Sequence, residues 1–276
     1  MKLVSFSTAE GRVRPGFLME ETGVVFDLSP SGFATALDVI AHGKAPAMAA
    51  SKHPLDQVKL YAPLLNPPRI FAIGLNYRDH AAEAKMTIPT TPVVFFKLQS
   101  AIIGPGEPIM LPKASTQPDY EAEFAFVIGK GGYRIPASEW REHVYGYTIV
   151  NDVSARDVQF ATSQWTMAKS FPTFCPIGPA IVTADEIPDP HNLAIGLTID
   201  GVVYQSSNTR ELVFKIPELI EYLSSITPLL PGDIVSTGTP GGVGMGRTPK
   251  RWLKPGETVT ITVEGVGSLT NPVVAE

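Results

Sequence analysis

Proline and glycine punctuate this chain throughout, 26 and 24 times in 276 residues, and the apolar runs between them are short. Such spacing suits many tight turns between short strands. The clearest strand covers residues 258–264. Val259, Ile261 and Val263 face one way there, while Thr258, Thr260, Thr262 and Glu264 face the other, the period-two signal of a half-buried strand. Residues 193–205 read as a hairpin, because Asp200-Gly201 between two apolar runs tolerates positive φ. One helix interrupts this β region: Pro217 suits a first helical position, and Ile220, Leu223 and Ile226 are spaced for one buried face.

Nearer the start, residues 3–6, 17–19 and 24–28 read as strands separated by Gly11, Gly16 and Gly23. Residues 33–41 have helical apolar spacing, with Gly43 placed to stop the helix. A second helix is expected from near Leu55 to before Pro63. Pro67-Pro68 then breaks the pattern, so residues 1–66 are expected to form a small N-terminal domain and 67–276 a larger catalytic one.

Composition excludes several classes. Hydrophobic residues at 44% with only 18% charged allow a sizeable core. A net charge of -5 argues against nucleic-acid or anionic-membrane partners, which favour clustered Lys and Arg. The single cysteine, Cys175, cannot form an internal disulfide and reads as a buried structural thiol. No apolar run is long enough to span a bilayer and no N-terminal stretch reads as a leader, so a cytoplasmic location is expected.

Residues 119–129 carry the most chemistry. Read as a strand, Glu121 and Glu123 share one face with Ala125 and Val127, the two carboxylates roughly 7 Å apart. If that face points inward, two close carboxylates resist ionisation unless a cation joins them. Asp152 comes after a strand-like run over residues 144–150. Three carboxylates without interleaved His or Cys would make a hard oxygen site suited to Mg²⁺ or Mn²⁺. Spacing alone leaves an alternative open, the solvated face of an edge strand.

The order of motifs bears on that choice. Gly74-Leu-Asn-Tyr-Arg-Asp-His-Ala-Ala-Glu83 is followed by Asp119-Tyr-Glu-Ala-Glu123 and Gly146-Tyr-Thr-Ile-Val-Asn-Asp-Val-Ser-Ala-Arg-Asp157. Then come Ala168-Lys-Ser-Phe171 and Gly232-Asp-Ile-Val-Ser-Thr-Gly-Thr-Pro-Gly-Gly-Val-Gly244. From about Arg69 to the C-terminus the chain resembles the fumarylacetoacetate hydrolase family. The resemblance implies a mainly β fold with some α, namely a mixed β-sandwich or β-roll catalytic domain beside a small α/β N-terminal domain. It also implies a metal triad of Glu121, Glu123 and Asp152, and a homodimer.

The same resemblance implies further roles. His80 and Glu83 lie three apart, on one face if helical, and Glu83 can orient the imidazole as a general base on water; a surface salt bridge is the plainer alternative. In hydrolases of the family such a pair sits on a segment that orders over substrate, here residues 79–91. Lys169 is expected to neutralise an enolate or carboxylate beside the metal, and Gln159 to orient water or a substrate oxygen. The glycine-rich loop from Thr237 can offer backbone N–H groups, Gly238 among them, and the Thr239 hydroxyl to a substrate carboxylate. It could equally be only a tight turn, and it lacks the Gly-Lys-Ser/Thr of a phosphate loop. Arg156 is either an anion contact or a structural partner of Asp157 or another acid.

The expected activity is hydrolysis of a C–C bond in a 2,4-dioxo acid of the acylpyruvate type. His80 and Glu83 would activate water, and the enolate charge would rest on the metal and Lys169. Decarboxylation of oxaloacetate or a similar 2-oxo diacid needs the same enolate and no water. Isomerisation or hydration of an unsaturated 2-oxo acid is a third possibility, and a catalytically silent ligand-binding protein a fourth.

Overall fold

The computed structural model of the chain describes residues 1–43, 51–83 and 87–276. Strands β1 (Lys2–Ser7), β2 (Arg14–Met19) and β3 (Val24–Asp27) pair antiparallel in succession. Helix α1 (Ala36–His42) comes next. Its start is fixed by a reciprocal cap: Thr35 Oγ1 accepts the Asp38 N–H at 3.2 Å, and the Asp38 carboxylate accepts the Thr35 N–H at 2.8 Å. Gly43, at φ 69°, ends it in the left-handed region. The second helix expected near Leu55 does not form. Leu55–Gln57 make one 3-10 turn between β4 (Lys52–Pro54) and β5 (Lys59–Tyr61). Pairing of β5 with β1, and packing of Leu55, Val58 and Leu60 on Val4, Phe6 and Val25, override the helical spacing.

The rest of the chain is mostly strand. In order come β6 (Ile70–Gly74), α2 (Arg78–Glu83), β7 (Val93–Phe96), β8 (Ile102–Ile103), β9 (Ile109–Leu111), β10 (Pro118–Asp119) and β11 (Ala122–Ile128). After them stand α3 (Trp140–His143), β12 (Val144–Asn151), β13 (Ser154–Ala155), α4 (Arg156–Gln159) and β14 (Cys175–Thr183). The chain closes with β15 (Ala194–Ile199), β16 (Val202–Asn208), α5 (Ile216–Ile226), β17 (Ile234–Ser236), β18 (Thr258–Val263) and β19 (Gly267–Ala275).

Among the described residues these strands build a twelve-stranded mixed sheet, a five-stranded sheet ordered β16-β15-β18-β19-β9, and the short β10–β13 pair. The main core lies between the two larger sheets: Phe124, Phe126 and Ile149 of one pack with Leu197, Ile261 and Leu269 of the other. This is the mainly β, mixed-sheet arrangement expected, with no barrel. The expected hairpin is β15–β16, turning at Asp200 (φ 50°) and Gly201 (φ 79°). Val259, Ile261 and Val263 of β18 are buried as the alternation predicts.

One helical detail differs. Ile216, Leu219, Ile220 and Leu223 form the buried face of α5, but Ile226 is 65% exposed. It is the last residue of the helix and falls at the rim of that face. The proposed boundary at residue 66 is crossed by both sheet and core. β1 pairs with β14, and Leu3, Phe17 and Leu28 share a cluster with Val127, Ile177 and Ile234. Residues 1–66 are therefore proposed as a unit that shares its sheet with residues 67–276.

Candidate active site

The strand that carries Glu123 lies inside the large sheet, not at its edge. β11 pairs with β12 on one side and β17 on the other, and all seven of its residues are buried. The solvated-edge alternative is thereby excluded. Glu121 sits just before β11. The Ala122↔Asn151 register brings the residue after β12 beside it, and the Asp152 N–H donates to the Glu121 carbonyl at 3.0 Å. Ligand atoms of Glu121, Glu123 and Asp152 lie within 4.8 Å of one another.

Cations surround this cluster. Lys169 Nζ donates to Glu121 Oε2 and Asp152 Oδ2, each at 2.6 Å. Arg156 Nη2 donates to Glu121 Oε1 at 2.6 Å, its Nε to Asp119 Oδ2 at 2.9 Å, and its Nη1 to Gln159 Oε1 at 2.8 Å. Arg156 is thus an ion-pair partner, but of Asp119 and Glu121 rather than Asp157, whose carboxylate accepts from Ser115 and Thr116 instead. Lys97 Nζ, fully buried, donates to Asp152 Oδ1 at 2.5 Å.

Burial and neighbours push the acids apart. For Glu121, burial favours the neutral form, but the Lys169 and Arg156 charges outweigh it and hold the carboxyl well below its usual range. Glu123 goes the other way. Burial and then the Asp152 and Glu121 charges raise it well above the usual range, and its bond from Ser236 does not compensate. Burial alone would lower the pKa of Lys169, yet Asp152 and Glu121 raise it, so the ammonium persists. The donor set fits a hard divalent cation: among the described residues the cluster is three buried carboxylates, and added positive charge would favour the ionised form of Glu123.

Above the cluster opens a cleft with about 550 Å³ of empty space, its mouth included, lined on one side by His80, Gln159, Lys169 and Thr239. Phe95, Phe160, Trp165 and Met245 give it an apolar side. His80 and Glu83 lie on α2, with Nδ1 3.6 Å from Glu83 Oε2. That separation exceeds hydrogen-bond length, and the buried Nδ1 has no hydrogen-bond partner among the described residues. The Gly242 N–H donates to both Glu83 oxygens at 3.0 Å; the His80 contact first, and then this N–H, lower the pKa of Glu83 against the effect of burial. Of the expected segment 79–91, residues 84–86 lie outside those described.

The glycine-rich loop is used differently from the expectation for Gly238. Its N–H donates to Glu123 Oε2 at 3.0 Å, not into the cleft. Gly238 is at φ 102°, with space for a Cβ limited by the Ile73 carbonyl at 2.9 Å, so the turn needs glycine. Thr239 Oγ1 does reach the cleft lining, where it accepts from Gln205 Nε2 at 2.9 Å.

Several residues escape a reading of the sequence. Asp119, fully buried, accepts the Gly244 and Met245 N–H groups at 2.7 and 3.0 Å besides Arg156, and so ties the loop to the cluster. Ser236 Oγ donates to Glu123 Oε2 at 2.6 Å. Lys97 offers a signal: it directly succeeds Val93-Val-Phe-Phe96, a charge at the end of an apolar strand. Trp165 stands against Gly74, where a Cβ would fall 2.4 Å from its ring. Cys175 is buried as expected, its thiol pushed up to about 12 by loss of solvent.

Residues 69–274 match the family described as fumarylacetoacetate (FAA) hydrolase C-terminal. An oxaloacetate tautomerase of Xenopus laevis, named as mitochondrial, is 41% identical over 289 residues, covering 99% of this chain and 90% of its own. Among solved structures, a 5-carboxymethyl-2-hydroxymuconate delta-isomerase from Mycobacterium smegmatis is 38% identical with a TM-score of 0.84, both chains fully covered. A fumarylacetoacetate hydrolase from Exiguobacterium antarcticum is 36% identical with a TM-score of 0.90, again over both whole chains. The mitochondrial name of the first relative overturns the cytoplasmic location expected from the sequence. That expectation rested on the lack of membrane and leader signals. Among the described residues no helix is long and apolar enough to cross a membrane, which does not fix a compartment.

Proposed function

The chain belongs to the fumarylacetoacetate hydrolase family, and from that premise we propose that it moves a proton in a small 2-oxo acid of the oxaloacetate type, interconverting keto and enol forms. The observation that carries this reading is that His80 and Lys169 line one cleft beside the carboxylate cluster. One is a group able to take a proton, the other a cation able to face the oxyanion that results. The name of the Xenopus relative supports the substrate class, and that of the Mycobacterium structure supports proton shift over hydrolysis.

Glu121, Glu123 and Asp152 would hold Mg²⁺ or Mn²⁺. Such an ion supplies Lewis-acid polarisation of the substrate's 2-oxo group when bound. His80, with Glu83 beside Nδ1, removes a proton from the carbon next to the 2-oxo group. The electron pair shifts into the C–C bond, and the carbonyl electrons shift onto oxygen. Lys169 stabilises that oxygen's charge, and the proton taken up by His80 is returned to that oxygen to complete the enol. Gln159 and Thr239 orient the substrate's polar end, and Phe95 and Trp165 give the carbanionic carbon an apolar wall.

Acylpyruvate hydrolysis is the second reading, favoured by the His80–Glu83 pairing, which suits water activation equally well. Assays with Mg²⁺ or Mn²⁺ distinguish the two: ultraviolet decay of enol-oxaloacetate against pyruvate release from acylpyruvates and from oxaloacetate. Tautomerisation is expected to be fastest. Faster acylpyruvate cleavage would put the hydrolase reading first, and faster pyruvate release from oxaloacetate would favour a decarboxylase. A homodimer belongs to the same proposal, checked by light scattering at micromolar concentration.

A further inference from the structure

Both oxygens of Glu121 and of Asp152, and one oxygen of Glu123, are engaged by donors. Arg156 Nη2 holds Glu121 Oε1 at 2.6 Å. Ser236 Oγ and the Gly238 N–H hold Glu123 Oε2 at 2.6 and 3.0 Å. Lys97 Nζ holds Asp152 Oδ1 at 2.5 Å. The remaining oxygens of Glu121 and Asp152 converge on Lys169 Nζ, 2.6 Å from each.

We infer that Arg156, Ser236 with Gly238, and Lys97 leave each carboxylate one oxygen for a cation once the Lys169 ammonium yields its place between Glu121 and Asp152, and that Lys97, by holding Asp152, makes the site favour small octahedral ions over Ca²⁺. The inference rests on the reading of the triad as a divalent-cation site. Ca²⁺ takes about six to eight oxygens and readily draws both oxygens of one carboxylate, whereas Mg²⁺ requires a near-ideal octahedron. Three single oxygens leave about half of an octahedron for substrate and water, and too few protein ligands for the larger shell.

Lys97 is the donor best placed to set this selectivity without touching substrate. It lies behind the cluster, does not line the cleft, and is fully buried. Its Nζ also donates to the Val153 carbonyl at 3.4 Å and to the Lys169 carbonyl. One ammonium at the end of β7 therefore fixes both the rotation of Asp152 and the backbone from which Lys169 extends. Without it Asp152 Oδ1 is released and can join Oδ2 in facing a cation.

Calorimetric titration of the metal-stripped full chain with Mg²⁺ and Ca²⁺ separately tests this. The native protein should bind Mg²⁺ more tightly than Ca²⁺. Lys97→Met should weaken Mg²⁺ by about ten- to a hundred-fold, the usual effect of losing a group that orients a metal ligand, while Ca²⁺ binding holds or tightens. Equal weakening for both ions would overturn the inference. If Lys97→Met does not fold, the native comparison still decides: Ca²⁺ bound as tightly as Mg²⁺ overturns this inference alone. Binding of neither ion to the native protein overturns the metal reading and this inference with it.

Discussion

The Lys169 ammonium lies 2.6 Å from Asp152 Oδ2, and both side chains are all but closed to solvent. Removing Lys169 leaves the buried Asp152 with Lys97 alone and Glu121 with Arg156 alone, a smaller loss than the about 3–5 kcal/mol of a wholly broken buried pair. Lys169→Met should therefore lower the thermal midpoint of the metal-free protein, and added Mg²⁺ should restore part of the loss. Turnover should not return, because the cation facing the enolate oxygen is gone. Full activity in this variant would remove Lys169 from the mechanism.

His80→Ala and Glu83→Gln address the proton transfer. Loss of a general base typically slows a reaction by about a hundred- to ten-thousand-fold. Both variants should lose tautomerisation on that scale while titrating Mg²⁺ as the native chain does. A native rate for His80→Ala would require another base.

Gly246 gives a subtler probe of the same pair. A Cβ there would fall 2.6 Å from Glu83 Cδ, so the carboxylate must shift. Gly246→Ala should lower kcat less than Glu83→Gln, with little change in the thermal midpoint. Equal kcat for Gly246→Ala and the native chain would mean that the placement of Glu83 is not critical.

Cys175 sets an alkaline limit on stability. Burial raises its pKa from 9.0 to about 12. Folding is therefore favoured by this group below pH about 9, where the thiol is neutral in both states, and the advantage is lost as pH rises toward 12. Iodoacetamide at pH about 8 should label the unfolded chain and spare the folded one, read by intact mass. Rapid labelling of the folded protein would contradict the burial.

The elements legible in the sequence are those whose pattern depends on near neighbours. The alternation in 258–264 and the Asp200-Gly201 turn are local, and both stand in the fold. Leu55–Gln57 departs from its helical spacing because its fate is set by β1, distant in sequence. The same division holds in the site. Glu121, Glu123 and Asp152 come from adjacent strands and share an ordered set of motifs, so they can be named together. Lys97 and Ser236 meet them only because β7 and β17 occupy the same sheet. Nothing in a single sequence announces that Gly238 turns its N–H to Glu123 instead of the cleft.

The central position of β11 has an effect beyond chemistry. Glu123 is held in a strand hydrogen-bonded on both flanks, so it cannot leave the cluster by fraying or by the opening of a loop. Its release is tied to the parting of the sheet itself. An ion bound there would act as a fastener on the whole fold, and occupancy would be felt as resistance to unfolding far from the cleft. Amide exchange along β11 would then slow with each increment of bound cation, and the molecule's durability would track the metal supply of its surroundings.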